Sequence, residues 1–265
     1  MMKKYICPIV LALLAFSCKE VTVKENKTVV LSGSIVNYDQ DTLFMNNVSS
    51  ELMFFREELH KLPLTENSDF EYRFELDKPA YFQIGRTYLY LSPGDSLVAT
   101  LDTRDRTYGT FSGKGAEANN YLTNVPYPKG GSFWGDSEIS SKIETYTEIP
   151  EVFEVSVKNR MDELARLTTV SENFRQLEMA RSKFDYVNSL GSLFYLYYGK
   201  VRKGEMTEEE MNQKIEEADD YLVPYRKAFL KDFNNPDYLQ LEVFQSLLYS
   251  LKNDSFIKKH QLSEL

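Results

Sequence analysis

Hydrophobic and polar positions change period partway along the chain, and that change divides it. From about Thr28 to Phe111 the period is two. Val29, Leu31, Gly33 and Ile35 share one alternating face of the run to Tyr38, and Thr42–Met45 follows the acidic turn Asp39-Gln40-Asp41. Phe70, Tyr72, Phe74 and Leu76 alternate with Glu71, Arg73 and Glu75, the pattern of a half-buried strand. Tyr81–Ile84, Tyr88–Leu91 and Ser96–Asp102 continue it, with a Pro-Gly turn at Ser92-Pro93-Gly94-Asp95. Short strands at regular spacing predict an antiparallel β-sandwich-like domain over 28–115.

Beyond Gly113-Lys114-Gly115 the spacing becomes three and four. Ala116–Leu122 reads as a helix, and 124–135 is a Pro/Gly-rich loop holding the single tryptophan, Trp134. Phe153, Val157, Met161, Leu164 and Leu167 then share one helical face; Phe174, Leu177, Phe184, Val187, Phe194 and Tyr198 share another. Thr207 and Glu210 form a capping-box pattern ahead of Met211, Ile215, Ala218 and Leu222. Asn235-Pro236 predicts the start of a last helix with Leu241, Phe244, Leu248 and Leu251 inward. The expected fold class is therefore α+β, a β-sandwich-like domain followed by a helical bundle over 116–265.

The amino-terminal segment follows neither period. Lys3 and Lys4 precede an apolar stretch, Ile6–Phe16, too short to span a bilayer. The sequence Leu14-Ala15-Phe16-Ser17-Cys18 resembles the lipobox of bacterial lipoproteins. That resemblance implies removal of residues 1–17, acylation of the Cys18 sulfur and a tether over 18–27. The expected location is the cell envelope, on the periplasmic face of the outer membrane or on the cell surface.

Composition narrows the function classes. The 265 residues are 42% hydrophobic and 14% aromatic, enough for a substantial core, and the formal net charge is −9. Loss of Lys3 and Lys4 would leave 29 basic against 40 acidic side chains, a net of −11. Such a surface repels phosphate backbones and anionic lipid headgroups, so nucleic acid is not an expected partner, and no Lys/Arg cluster is expected to offset the charge locally.

The order of motifs also resembles a family. Tyr88-Leu89-Tyr90-Leu91-Ser92-Pro93-Gly94-Asp95-Ser96-Leu97 leads to Phe111-Ser112-Gly113-Lys114-Gly115-Ala116-Glu117-Ala118-Asn119-Asn120-Tyr121-Leu122, and a helical segment follows. This is similar to the amino-terminal region of TlpA-like thiol-disulfide oxidoreductases of Bacteroidota, which are lipoproteins. In that family the chemistry belongs to a Cys-x-x-Cys on a thioredoxin domain, and this sequence has no cysteine after Cys18. The resemblance therefore transfers no catalytic residue.

Other chemistry has little material. His60 and His260 are the two histidines, and no cysteine pair or His-x3-His spacing predicts zinc. Asp102 with Asp105, Glu208–Glu210, and Asp219 with Asp220 lack the loop spacing of a calcium site; Glu208–Glu210 fits the first turn of a helix. Gly113-x-Gly115 lacks the third glycine of a phosphate loop. No cofactor or metal is expected. Tyrosines crowd the helical half; most are expected to pack, and Tyr195, Tyr197, Tyr198 and Trp134 are the candidate partner-docking residues.

The expected function is a non-enzymatic envelope lipoprotein serving as a binding or interaction module. Its partners would be the membrane, through the anchor, and an envelope protein. An alternative is a scaffold that docks a separate thioredoxin-like protein in a disulfide-reducing system. A carboxylate enzyme would require a converging acidic pair beside an open pocket.

Overall fold

The computed structural model describes residues 26–49, 59–102, 104–105, 109–125, 131–229 and 235–251. Cys18 and His260 lie outside the described residues.

Eight strands come first: β1 (Thr28–Val36), β2 (Thr42–Asn47), β3 (Leu59–Pro63), β4 (Asp69–Glu75), β5 (Ala80–Ile84), β6 (Thr87–Leu91), β7 (Ser96–Asp102) and β8 (Gly109–Lys114). They form two four-stranded sheets, ordered β4-β1-β7-β8 and β3-β2-β5-β6. Every pairing is antiparallel but one: β1 runs parallel to β7, with Leu31 opposite Leu97. Gly33 makes that pairing possible. Its φ is +149°, and a Cβ there would come within 1.7 Å of the Ala99 carbonyl oxygen.

Between the sheets lie Val29, Leu31, Ile35, Leu43, Met45, Phe70, Phe82, Leu89, Leu97 and Ala99, the alternating residues of both layers. His60 belongs here as well. Its ring stacks 4.8 Å from Phe74 and its Nδ1 meets the Tyr72 hydroxyl at 3.2 Å, so it is a packed strand residue.

Seven α-helices follow among the described residues: α1 (Ala116–Asn124), α2 (Ser137–Ser140), α3 (Ile149–Arg166), α4 (Glu172–Gly191), α5 (Phe194–Arg202), α6 (Glu208–Phe229) and α7 (Glu242–Leu251). The caps are written locally. Ser171 accepts from the Phe174 N–H at the start of α4, and Thr207 exchanges hydrogen bonds with Glu210 at the start of α6.

Two helical expectations need correction. The face running from Phe174 to Tyr198 is not one helix: the chain breaks at Ser192, after Gly191, and α5 starts as a separate helix at Phe194. Asn235 does cap, accepting from the Asp237 N–H, but it opens a 3-10 turn over Pro236–Gln240, and α7 begins only at Glu242.

The halves join through β5 and β6, which are buried on both faces. Phe82, Leu89 and Leu91 face the sandwich, whereas Tyr81, Tyr88 and Tyr90 face the helices. This explains why every residue of β6 is buried. No described helix is long and apolar enough to cross a membrane.

Candidate functional site

Three places hold chemically capable side chains. The first is the seam between sheet and helices. Here the hydroxyl of Tyr81 donates to Glu178 at 2.6 Å, that of Tyr88 donates to Glu242 at 2.7 Å, and that of Tyr90 accepts from Asn173 at 2.9 Å. Behind Tyr81 lies a buried ion cluster. Arg181 Nε donates to Glu178 at 3.0 Å and Arg160 donates to Asp185 at 2.5 Å, with Glu178 and Asp185 both fully buried. The guanidinium of Arg181 also lies over the Tyr81 ring and that of Arg160 over Phe133.

Burial pushes the Asp185 carboxyl up despite Arg160 and Arg181. Burial likewise pushes the Tyr81 hydroxyl well up, and Glu178 beside it adds to the effect. These groups hold the halves together. The cluster is two cation–carboxylate pairs, not a converging acidic pair beside an open pocket.

The cluster was readable in principle. Glu178, Arg181 and Asp185 recur at steps of three and four on the stripe that carries Phe174, Leu177 and Phe184. Charges at the period of an apolar face mark buried pairs. On α3, Ser156 and Arg160 interrupt the buried face in the same way.

The second place is the junction of the two family-like motifs, where a pocket of 230 Å³ is lined by Tyr90, Asp95, Lys114, Glu117 and Phe174 among others. Its polar groups are bonded. Asp95 accepts from the Ser92 N–H at 2.8 Å, and Lys114 donates to the Gly94 carbonyl at 2.9 Å. Gly115, at φ +95°, turns the chain from β8 into α1, and a Cβ there would meet the Asp95 carboxylate at 2.7 Å.

Asn119 and Asn120 then clasp the two sheet edges. Asn119 bonds both the N–H and the carbonyl of Tyr90 in β6, and Asn120 does the same to Phe111 in β8. Glu117 receives the N–H groups of Thr168 and Thr169. Burial opposes its ionisation, but those bonds hold its pKa down at about 2. Gly113-x-Gly115 is thus a strand-to-helix turn, and the motifs are stitches. A second depression, of 400 Å³, lies between Phe133, Ile139, Val152 and Arg160.

The third place is α5. Leu193 and Tyr197 point inward, at 2% and 4% exposure. Phe194, Tyr195 and Tyr198 point out, at 43%, 63% and 43%. The Phe194 ring lies 4.5 Å from Tyr198 and 6.0 Å from Tyr195, so the three form one patch.

The four candidate docking residues therefore separate. Tyr195 and Tyr198 are exposed. Tyr197 is a correction, because it is the buried residue of α5. Trp134 is another: its Nε1 donates to the Ser189 carbonyl at 2.8 Å and its ring meets Phe153 edge-on, so it packs. Phe194 joins the patch although the sequence pattern had assigned it inward. Lys200, Arg202 and Lys203, all exposed, follow the rings, a local basic cluster that the overall charge had concealed.

The remaining acids have structural partners or positions. Asp102 accepts from Asn37 and from the Arg104 N–H, Asp219 pairs with Arg226, and Glu208–Glu210 occupy the first turn of α6. Among the described residues, no group of three His, Cys, Asp or Glu side chains converges to hold a metal ion. Comparison of the chain with family models, with curated proteins and with solved structures returns no match.

Proposed function

We propose that this chain is a non-enzymatic lipoprotein of the bacterial envelope, anchored through Cys18, that works as an interaction module. The observation that carries the reading is the aromatic patch of α5. It leaves three adjacent rings in solvent, where a contiguous apolar surface signals a contact site. The tyrosines and acids of the seam bond across the junction of sheet and helices, which supports a structural role for them. The lipobox-like Leu14–Cys18 supports the anchor, and the lack of any cysteine after Cys18 supports a role without thiol exchange.

Feeding cells a clickable palmitate analogue tests the anchor: the native chain takes the label and Cys18→Ser does not. An insulin-reduction assay with dithiothreitol tests the absence of redox turnover, and aggregation should follow the uncatalysed course. Catalysed turnover refutes the non-enzymatic reading.

A second reading, a scaffold for a separate thioredoxin-like protein, is favoured by the Ser92–Ser96 and Ser112–Leu122 motifs. Co-purification of such a protein with the native chain, lost on mutating the α5 rings, would select it.

A further inference from the structure

We infer that the exposed face of α5 rests on an anionic lipid surface, with its rings at headgroup depth and its cations against lipid phosphates. This rests on the reading above, in which the same face is the contact surface, and supplies its occupant.

The side chains match the chemistry of an interface. Tyr195 and Tyr198 each carry an apolar ring with a polar tip, the type enriched where hydrocarbon meets water, and Phe194 between them is wholly apolar. Arg202 continues the stripe of Phe194 and Tyr198 at a spacing of four, while Lys200 and Lys203 stand exposed beside it. Residues 194–204 hold three basic side chains and no acidic one, in a chain whose net charge is −9.

Fields decay over about 10 Å at moderate salt, so a contacting surface senses these cations far more than distant acids. The next acids along the chain, Glu205 and Glu208–Glu210, begin beyond Gly204, where Glu210 is engaged with Thr207, and Glu217 of α6 acts on the hydroxyl of Tyr197, on the buried side of α5. Three exposed rings side by side on the outer stripe of one short helix form a ridge, a shape that a deformable surface can follow. Aromatic side chains at headgroup depth with flanking Lys/Arg describe an interfacial helix.

The test places a reporter on the full chain in vesicles of brominated phosphatidylcholine, with or without phosphatidylglycerol. Tyr195→Trp puts the reporter on the ridge. Val98→Trp, at a site 48% exposed on the outer face of β7, is the comparator. Both are read against the parent chain, which carries Trp134, after circular dichroism shows an unchanged fold.

Quenching of the Tyr195→Trp reporter, but not of the Val98→Trp one, is expected in anionic vesicles and should fade with salt. Neutralising Lys200→Gln, Arg202→Gln and Lys203→Gln should lower the ridge's partitioning roughly fivefold each. An unquenched Tyr195→Trp reporter overturns the inference and returns the face to a protein partner. Equal quenching without phosphatidylglycerol overturns its anionic part. The palmitate label reads the anchor separately: a chain that takes no label but is quenched at position 195 upholds the inference and refutes the anchor.

Discussion

The seam and the α5 ridge are built from the same residue types and end in opposite states. At the seam, Tyr81, Tyr88 and Tyr90 are buried and each hydroxyl meets a helix side chain. On the ridge, Tyr195 and Tyr198 turn to solvent, two positions before and one position after the buried Tyr197. A partner for the hydroxyl favours burying a tyrosine, since an unpaired buried polar group is costly, although Tyr121 is buried without one. Strands β5 and β6 meet α4 and α7, which supply Glu178, Asn173 and Glu242; among the described residues, the outer stripe of α5 is left exposed. Ring content alone is therefore a poor guide to location, and the position of complementary groups decides it.

The largest effect expected at the seam is for Asp185→Ala. It strands Arg160 in the interior, and breaking one partner of a buried pair costs about 3–5 kcal/mol. Urea denaturation should show a lower midpoint at an unchanged slope. A loss below about 1 kcal/mol would mean that the pair is hydrated and the seam less dry than its burial indicates.

Within α5 the contrast is internal. Tyr197→Ala should cost about 3 kcal/mol by emptying a core position, whereas Tyr195→Ser should stay within about 0.5 kcal/mol of the parent. Equal effects would erase the distinction between the two sides of the helix. Asn119→Ala tests the stitch beside the seam. It removes three hydrogen bonds from a fully buried amide, so a loss of about 2 kcal/mol is expected in thermal or urea melts.

The smallest effect concerns acid. Glu117 has its pKa depressed to about 2 from an ordinary 4.5, so its contribution is complete above pH 4.5 and is lost as pH falls toward 2. Glu117→Gln should flatten stability against pH across that window and leave the neutral range with the same slope. An unchanged acid limb would show that Thr168 and Thr169 do not hold the carboxylate in solution.

Local features of this fold could be read from sequence, and long-range ones could not. The Phe70–Leu76 alternation, the Thr207–Glu210 cap and the change of period after Gly115 each depend on neighbours a few residues away. The parallel β1–β7 pairing leaves no local trace, because Val30 meets Ser96 only after the intervening hairpins are placed. The break at Ser192 was hidden by Phe194 and Tyr198, which kept the apolar spacing across it. That spacing then placed Phe194 inward, when α5, a separate helix, leaves it exposed. The docking residues divided for the same reason: three tyrosines in four positions fix which of them share a face, but not which face meets the core. The buried charges of α4 stand in plain view in the sequence, but charge normally marks solvent, and their burial depends on partners far along the chain.

The parallel embrace of β1 and β7 also bears on the order of assembly. The first described strand occupies the middle of its sheet, flanked by β4 and by a strand that starts only at Ser96. A ribbon emerging amino end first must therefore carry an unsatisfied central strand until residue 102 has followed. Such high contact order slows maturation and leaves a sticky edge open meanwhile. Refolding of this chain should be slow beside that of a helical protein of equal length, and a fragment stopped short of Ser96 should aggregate.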